Sequence, residues 1–462
     1  PMDACVLIGG CDKTVPALLM GAASANVPAI MLVTGPMLTG DHKGERLGAC
    51  TDCRRFWARF RAGEIDAQEI NAIEAKLAPS AGTCMVMGTA STMACVTEAL
   101  GMMLPGGACI PAVMSERMRN AEATGARAVA IAKERLTPGQ IMTPDAFENA
   151  LTMLLAIGGS TNAIVHLAAM AGRLGIEIDL EAFDRMGSKT PVLVDLKPTG
   201  QHYMEDLEKA GGVVTILREL RPLLKMKALT ITGKTLGQNI DAALPGWKQE
   251  VVRPFRNPIF KNGGIAVLRG NLAPGGAIVK QSAATPKLMQ HEGRAVVFDS
   301  LEDMAARIDS PTLDVTPDDI LVLRNAGPKG APGMPEAGYL PIPKKLAQKG
   351  VKDMVRISDA RMSGTAFGSI VLHITPESAI GGPLALVKTG DRINLDVARR
   401  RLELLVSDAE LAARRKKWKA PKSRAGDERG YRKLFLDTVQ QADRGCDFDF
   451  LTRPVKARAP AK

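Results

Sequence analysis

Apolar residues in the first half of the chain fall in short runs that alternate with helical patterns. Residues 4–8 and 29–33 are continuous apolar runs of strand length and read as buried strands. Between them, 14–26 carries its apolar residues at helical spacing. Residues 66–77 form an amphipathic pattern with Asp66 at the start and Pro79 just beyond the end, the punctuation of a helix. The stretch 88–103, rich in small residues and methionine, reads as a helix buried all round. Residues 144–171 hold two helical pieces around the loop "GGSTN" at 158–162. Sequential strand–helix alternation predicts a layered α/β domain.

The pattern changes near residue 227. Short β-rich runs follow at 264–268, 277–281, 295–299, 320–324, 354–358, 369–374 and 392–395, separated by turns such as "NLAPGG" and "AGPKGAPGMPE". Many short strands with glycine-rich connections predict a barrel or a strongly curved sheet. After Leu411 the chain becomes charged, then ends in "GYRKLFLDTVQQADRGCDFDFL", a pattern that predicts a C-terminal helix. The expected organisation is therefore an α/β domain over 1–227 and a β-barrel-like domain with a helical tail over 228–462. There is no internal repeat.

Composition narrows the class of protein. A chain of 462 residues, 46% apolar and 24% charged, has room for two or three globular domains. Aromatic content of 4% beside 45 glycines suits a glycine-looped α/β enzyme better than an aromatic binding surface. The net charge of +11 is concentrated in 413–424 and 453–462. A basic excess is compatible with nucleic acid or with an anionic small molecule. Without stacking aromatics or fingered Cys/His spacing, it reads as a solvated surface and nucleic acid is set aside. No apolar run reaches membrane-span length and no signal peptide is present, so the expected setting is the cytoplasm, with cysteines as thiols.

Four groups of residues offer chemistry. Cys11, in "GGCDKT", and Cys84, in "AGTCMVMGTAS", each precede a helical pattern, where backbone N–H groups favour a thiolate fit to bind iron; an inert buried thiol is the plainer alternative. Cys50 and Cys53 form a C-x-x-C with no second pair, a weak redox signal, while Cys95 and Cys109 read as packing residues. Asp12, and Glu336 on a Pro/Gly-rich loop, offer hard oxygen ligands for Mg²⁺; Lys13 becomes one only as a carbamate. Ser363, in "ISDARMSGTAFG", is a helix cap or a metal-activated nucleophile or base, and no hydrolase elbow surrounds it. The loops "GGSTN" and "GNLAPGG" have the glycine content to cradle an anion but match no nucleotide fingerprint.

Together these pieces resemble one family, the dihydroxy-acid and sugar-acid dehydratases (the IlvD/Edd group). The likeness runs through "GGCDKTVPALLMGA", "GTCMVMGTASTMA", "GGSTNAIVHLAA", "GNLAPGGAIVK", "GPKGAPGMPE", "SDARMSGTAFG" and "HITPESAIGGPLALVKTGDRI". It implies that Cys11 and Cys84 bind an iron–sulfur cluster, of the [2Fe–2S] type in the sugar-acid subgroup. It also implies that Asp12, Lys13 as a carbamate and Glu336 hold Mg²⁺, and that Ser363 is the base. The implied architecture is an α/β domain and a β-barrel-like domain with the site between them, in dimers or tetramers. The implied reaction converts an anionic 2,3-dihydroxy sugar acid to a 2-keto-3-deoxy acid. "GACTDCRRFWARFRAGEI" and the C-terminal segment resemble the arabinonate- and xylonate-type enzymes. The branched-chain dihydroxy-acid dehydratase is the runner-up, and a phosphogluconate-type enzyme comes third. The family carries a further cluster cysteine and a magnesium aspartate ahead of "MDACVLIGGCDKT", so the sequence reads as N-terminally truncated, and an inactive remnant is the reading from another class.

Overall fold

The computed structural model describes residues 2–422 and 424–454; the basic stretch 455–462 lies outside them. Its contacts divide the chain into two units. The first comprises the chain up to Cys53, Ala72–Gly264 and the chain from Leu451, and the second comprises Arg54–Asn71 and Ile265–Phe450.

In the first unit, strands β1 (Cys5–Gly9) and β2 (Ala29–Val33) pair in parallel, Cys5 opposite Ala29 and Gly9 opposite Val33. Helix α1 (Thr14–Ala25) makes the crossover between them, as parallel pairing requires. β2 is buried along its whole length, which is why it reads as an unbroken apolar run. A short hairpin follows, β3 (Gly40–His42) with β4 (Glu45–Leu47). Helix α2 (Thr51–Ala62) then starts in this unit and belongs to the second from Arg54, and α3 (Ala67–Glu74) belongs to the second as far as Asn71. Asp66 starts α3 as expected, its Oδ1 accepting the Glu69 N–H at 2.8 Å. Helix α4 (Thr89–Ala99) is buried at every position, so its small side chains and methionines are packing choices. Beyond it come α5 (Ser115–Glu134), α6 (Pro138–Ile141), α7 (Pro144–Ala156) and α8 (Asn162–Gly172). Residues 228–264, which lie beyond the composition shift at 227, pack with this unit. Isolated bridges tie them to it, Val192 with Phe260 and Val194 with Val252.

The second unit is built on a closed eight-stranded barrel. Its strands are β5 (Ala266–Gly270), β6 (Ala273–Val279), β7 (Gln290–Phe298), β8 (Ile320–Leu323), β9 (Arg356–Ser358), β10 (Ile370–Thr375), β11 (Arg392–Asp396) and β12 (Arg401–Leu404). They close in the order β10-β6-β5-β12-β11-β7-β8-β9, which leaves no barrel strand with an open edge. Alternate residues fill the interior, among them Leu268, Val279, Val297, Val322, Ile357, Val371, Leu395 and Leu402. The other faces of β7 and β8, through Val296, Phe298, Leu321 and Leu323, are covered by Ile308, Val315, Leu340 and Leu346. Burial of both faces explains the continuous apolar runs. β12 is the strand that the sequence pattern misses, because Arg401 and Glu403 interrupt the buried Leu402 and Leu404. The C-terminal helix is also shorter than expected. It spans Gly430–Thr438, and a turn with Gly445 and Cys446 at positive φ then reverses the chain, so that Val439 pairs with Phe448.

A buried ion pair closes the segment that leads into β9. Arg356 is 2% exposed and donates to Asp353 Oδ1 at 2.6 Å, while Asp353 Oδ2 accepts from Ser369 Oγ and Thr285 Oγ1. Removing one partner of such a pair strands the other charge, at a cost of about 3 kcal/mol. Asp353→Ala is therefore expected to lower the denaturant midpoint of this unit substantially. A stability change within about 0.5 kcal/mol, the usual range for a surface substitution, contradicts this.

Candidate active site

In the first unit, β1 runs straight into "GGCDKT" and delivers it to the start of α1. Gly10 is required by close approach, since a Cβ there would fall 2.5 Å from Thr34 Oγ1. Asp12 holds a positive φ of 28°, a conformation that few non-glycine residues adopt. Its carboxylate accepts from Lys13 Nζ at 2.6 Å, and His166 Nε2 stands 4.0 Å from its other oxygen. His166 is placed by the "GGSTN" loop that opens α8. That loop is buried: Ser160 Oγ lies 2.8 Å from Thr89 Oγ1, and Asn162 Nδ2 donates to the same hydroxyl at 3.2 Å, while Thr161 Oγ1 is buried without a hydrogen-bond partner among the described residues. The Ser160 and Asn162 bonds latch the start of α8 to the start of α4.

Cys11 is exposed and borders a cleft of about 540 Å³ walled by Gly10, Thr34, Thr83, Arg117 and Met118. Cys84 lies in the loop before α4, and Ser91 Oγ donates to its carbonyl at 3.2 Å. Its immediate neighbour is a residue that the sequence pattern did not assign to the site. Cys50 Sγ is 3.5 Å from Cys84 Sγ. The Cys50 sulfhydryl, then burial, then the charges of Cys50 and Cys11 push the Cys84 thiol well above the ordinary thiol range. Helix-terminus stabilisation, expected for Cys84, does not govern it, because α4 begins five residues further on at Thr89. Cys50 instead immediately precedes α2, with a positive φ of 72°. Asp52 fixes that turn. Its carboxylate accepts from Gly48 N at 2.8 Å, Lys197 Nζ at 3.0 Å and Tyr203 Oη at 2.9 Å. Cys95 and Cys109 are buried against each other and act as packing residues, as their surroundings in the sequence suggest.

In the second unit, Ser363 follows β9 on a partly exposed turn. Its Oγ is 2.8 Å from Thr365 Oγ1, and the Thr365 N–H donates to it at 3.4 Å. Arg361, two residues earlier, reaches the loop of the other candidate residue. Its Nε donates to Met334 O at 2.5 Å and its Nη1 to Glu336 Oε1 at 3.4 Å, while the Gly338 N–H returns a bond to Arg361 O at 2.9 Å. Arg361 thus ties its own turn, two residues before Ser363, to the loop that carries Glu336. Beneath the turn lies Lys280, 1% exposed, donating to Gly364 O at 3.5 Å; burial pushes its amine down to about 7.

Among the described residues, no group of three or more His, Cys, Asp or Glu is arranged to hold a metal ion, and no helix is long and apolar enough to cross a membrane. The donors nevertheless match the implied groups in kind. Cys11 and Cys84 are thiols suited to iron, and Asp12 and Glu336 are hard oxygen donors suited to Mg²⁺. Lys13, as an ammonium, places a positive charge beside Asp12; as a carbamate it would add an anionic oxygen ligand there.

The chain matches two family models in sequence order. The dihydroxy-acid/6-phosphogluconate dehydratase N-terminal model matches residues 1–239, and the C-terminal model matches residues 250–446. It is 50% identical to an L-arabonate dehydratase of Azospirillum brasilense, over 100% of this chain and 80% of that protein. It is 49% identical to an L-arabinonate dehydratase of Rhizobium leguminosarum bv. trifolii, over 98% of this chain and 78% of the relative. A 6-deoxy-6-sulfo-D-gluconate dehydratase of Pseudomonas putida is 44% identical over 98% of this chain and 78% of its own length.

Proposed function

The chain belongs to the dihydroxy-acid/6-phosphogluconate dehydratase family of hydro-lyases, and from that premise we propose that it dehydrates a sugar acid to the 2-keto-3-deoxy acid. The observation that supports the reading is the Arg361 bridge, which ties the turn that carries Ser363 to the loop that carries Glu336. The arabinonate and arabonate dehydratases among the relatives support an aldonate as substrate.

In this reading Ser363 Oγ takes the proton from C2 of the substrate. The electron pair released forms the C2–C3 double bond as the C3–O bond breaks. The proton on Ser363 and the departing hydroxide make up the water lost, and the enol becomes the ketone by moving its hydroxyl proton to C3. A free serine hydroxyl is too weak a base for this, so its neighbours matter. Thr365 Oγ1, at 2.8 Å, is placed to donate to an alkoxide at Ser363. Asp12, Glu336 and carbamylated Lys13 would hold Mg²⁺, and Cys11 and Cys84 iron–sulfur; when bound, these supply charge neutralisation at the carboxylate and Lewis acidity at the C3 hydroxyl.

The test is a substrate panel. Protein purified anaerobically and supplied with iron, sulfide and Mg²⁺ is incubated with L-arabinonate, other aldonates and a branched 2,3-dihydroxy acid, and 2-keto acid formation is followed as the semicarbazone. Aldonates are expected to react at least about tenfold faster in kcat/KM than the branched acid, a discrimination of about 1.4 kcal/mol. The opposite preference would install the branched-chain reading, and a colourless, iron-free protein without turnover would remove the enzyme reading of this chain.

A further inference from the structure

The C-x-x-C at Cys50 and Cys53 has no role in the reaction above, yet the fold gives Cys50 a specific neighbour. Its sulfur lies 3.5 Å from that of Cys84, 34 residues away in sequence. The two backbones are fastened together beside the thiols: the Ala49 N–H, next to Cys50, donates to the sulfur of Met85, next to Cys84, at 2.8 Å. The Cys50 turn is held from behind by Asp52, Lys197 and Tyr203, and the Met204 N–H donates to Met85 O at 2.8 Å. Both cysteines are only half-buried, within reach of a small reagent. A disulfide requires the sulfurs to approach to about 2.05 Å, a closure of roughly 1.5 Å from their present separation. Rotation of the two short side chains is the movement that this closure calls for.

We propose that Cys50 and Cys84 are an oxidant-reactive dithiol, closed to a disulfide by a low-molecular-weight disulfide such as oxidised glutathione. In the first step one thiol of the pair, having lost its proton, attacks a sulfur of the reagent and expels one glutathione thiolate. In the second, the other thiol, likewise deprotonated, attacks the protein sulfur of that mixed disulfide and expels the second. One protein S–S bond forms and one reagent S–S bond breaks; two electrons pass to the reagent, and the two protons end on the two glutathiones. The consequence, which rests on the reading of Cys84 as a cluster ligand, is that the closed form cannot load iron until it is reduced.

The full chain, stripped of iron with a chelator, is treated with oxidised glutathione, alkylated, digested and mapped by mass spectrometry. A Cys50–Cys84 peptide is expected, with an intact mass lower by two hydrogens and no glutathione retained at either position. Cys50→Ser is expected to leave Cys84 carrying glutathione instead. Linkage of Cys50 to Cys53, separate adducts on Cys50 and Cys84, or two unreacted thiols in the wild-type protein would each overturn the proposal. The oxidised wild-type protein is then given iron and sulfide with and without dithiothreitol. Iron uptake and visible absorption only with dithiothreitol are expected. Full uptake by the disulfide form would leave the dithiol standing and remove Cys84 from the cluster, so the two readings fail separately.

Discussion

Replacing Ser363 by alanine is expected to lower kcat for aldonate dehydration by about 10³-fold, within the usual range for losing a positioned proton-transfer group. KM should change only a few fold, because the hydroxyl is assigned to the proton and not to the grip on the substrate. The fold should tolerate the change. Ser363 is partly exposed, and its direct partners are the Thr365 hydroxyl at 2.8 Å and the Thr365 N–H at 3.4 Å, both two residues away on the same turn. The iron content and visible spectrum should match those of the wild-type protein, since no assigned cluster cysteine lies on that loop. Thr365→Val keeps the shape of its neighbour but removes the donor to an alkoxide, and should give an intermediate loss. Turnover by Ser363→Ala above about one tenth of wild type would take Ser363 out of the base role.

What the sequence makes legible follows the range of the interactions. β2 reads correctly to the residue because both its faces are buried. The barrel is recognisable because most of its strands are short apolar runs between glycine turns. β12 escapes because Arg401 and Glu403 face outward between its leucines, and α5 because few of its twenty residues are buried, Arg117, Thr124, Ala128 and Ile131 among them. The same rule holds at the site. Cys11, Asp12 and Lys13 are consecutive and announce themselves. The contact of Cys50 with Cys84 and the bridge from Arg361 to Glu336 join segments 34 and 25 residues apart, and no local pattern encodes them. His166 had a signal in "GGSTNAIVHLAA", one turn beyond the loop, but only the packing of α8 brings it to Asp12.

Asp12→Asn should be nearly as damaging as the serine change, and its interpretation is cleaner than that of an alanine variant. Asp12 sits at φ 28°, where asparagine is at ease and alanine is strained. Asparagine therefore keeps the turn and the Thr14 N–H to Cys11 O bond of 2.8 Å that begins α1. What it loses is the negative charge that pairs with Lys13 at 2.6 Å and faces His166 at 4.0 Å. A neutral amide is a poor ligand for a hard divalent cation, which takes carboxylate oxygen by preference. The expected result is a thermal midpoint within a few degrees of wild type, loss of Mg²⁺ binding in calorimetry, and a fall in kcat/KM of about 10³-fold, or roughly 4 kcal/mol. Raising Mg²⁺ should restore part of that loss if the remaining oxygen donors still engage the ion. Wild-type Mg²⁺ affinity in Asp12→Asn would place the cation elsewhere and leave "GGCDKT" with its thiol chemistry alone.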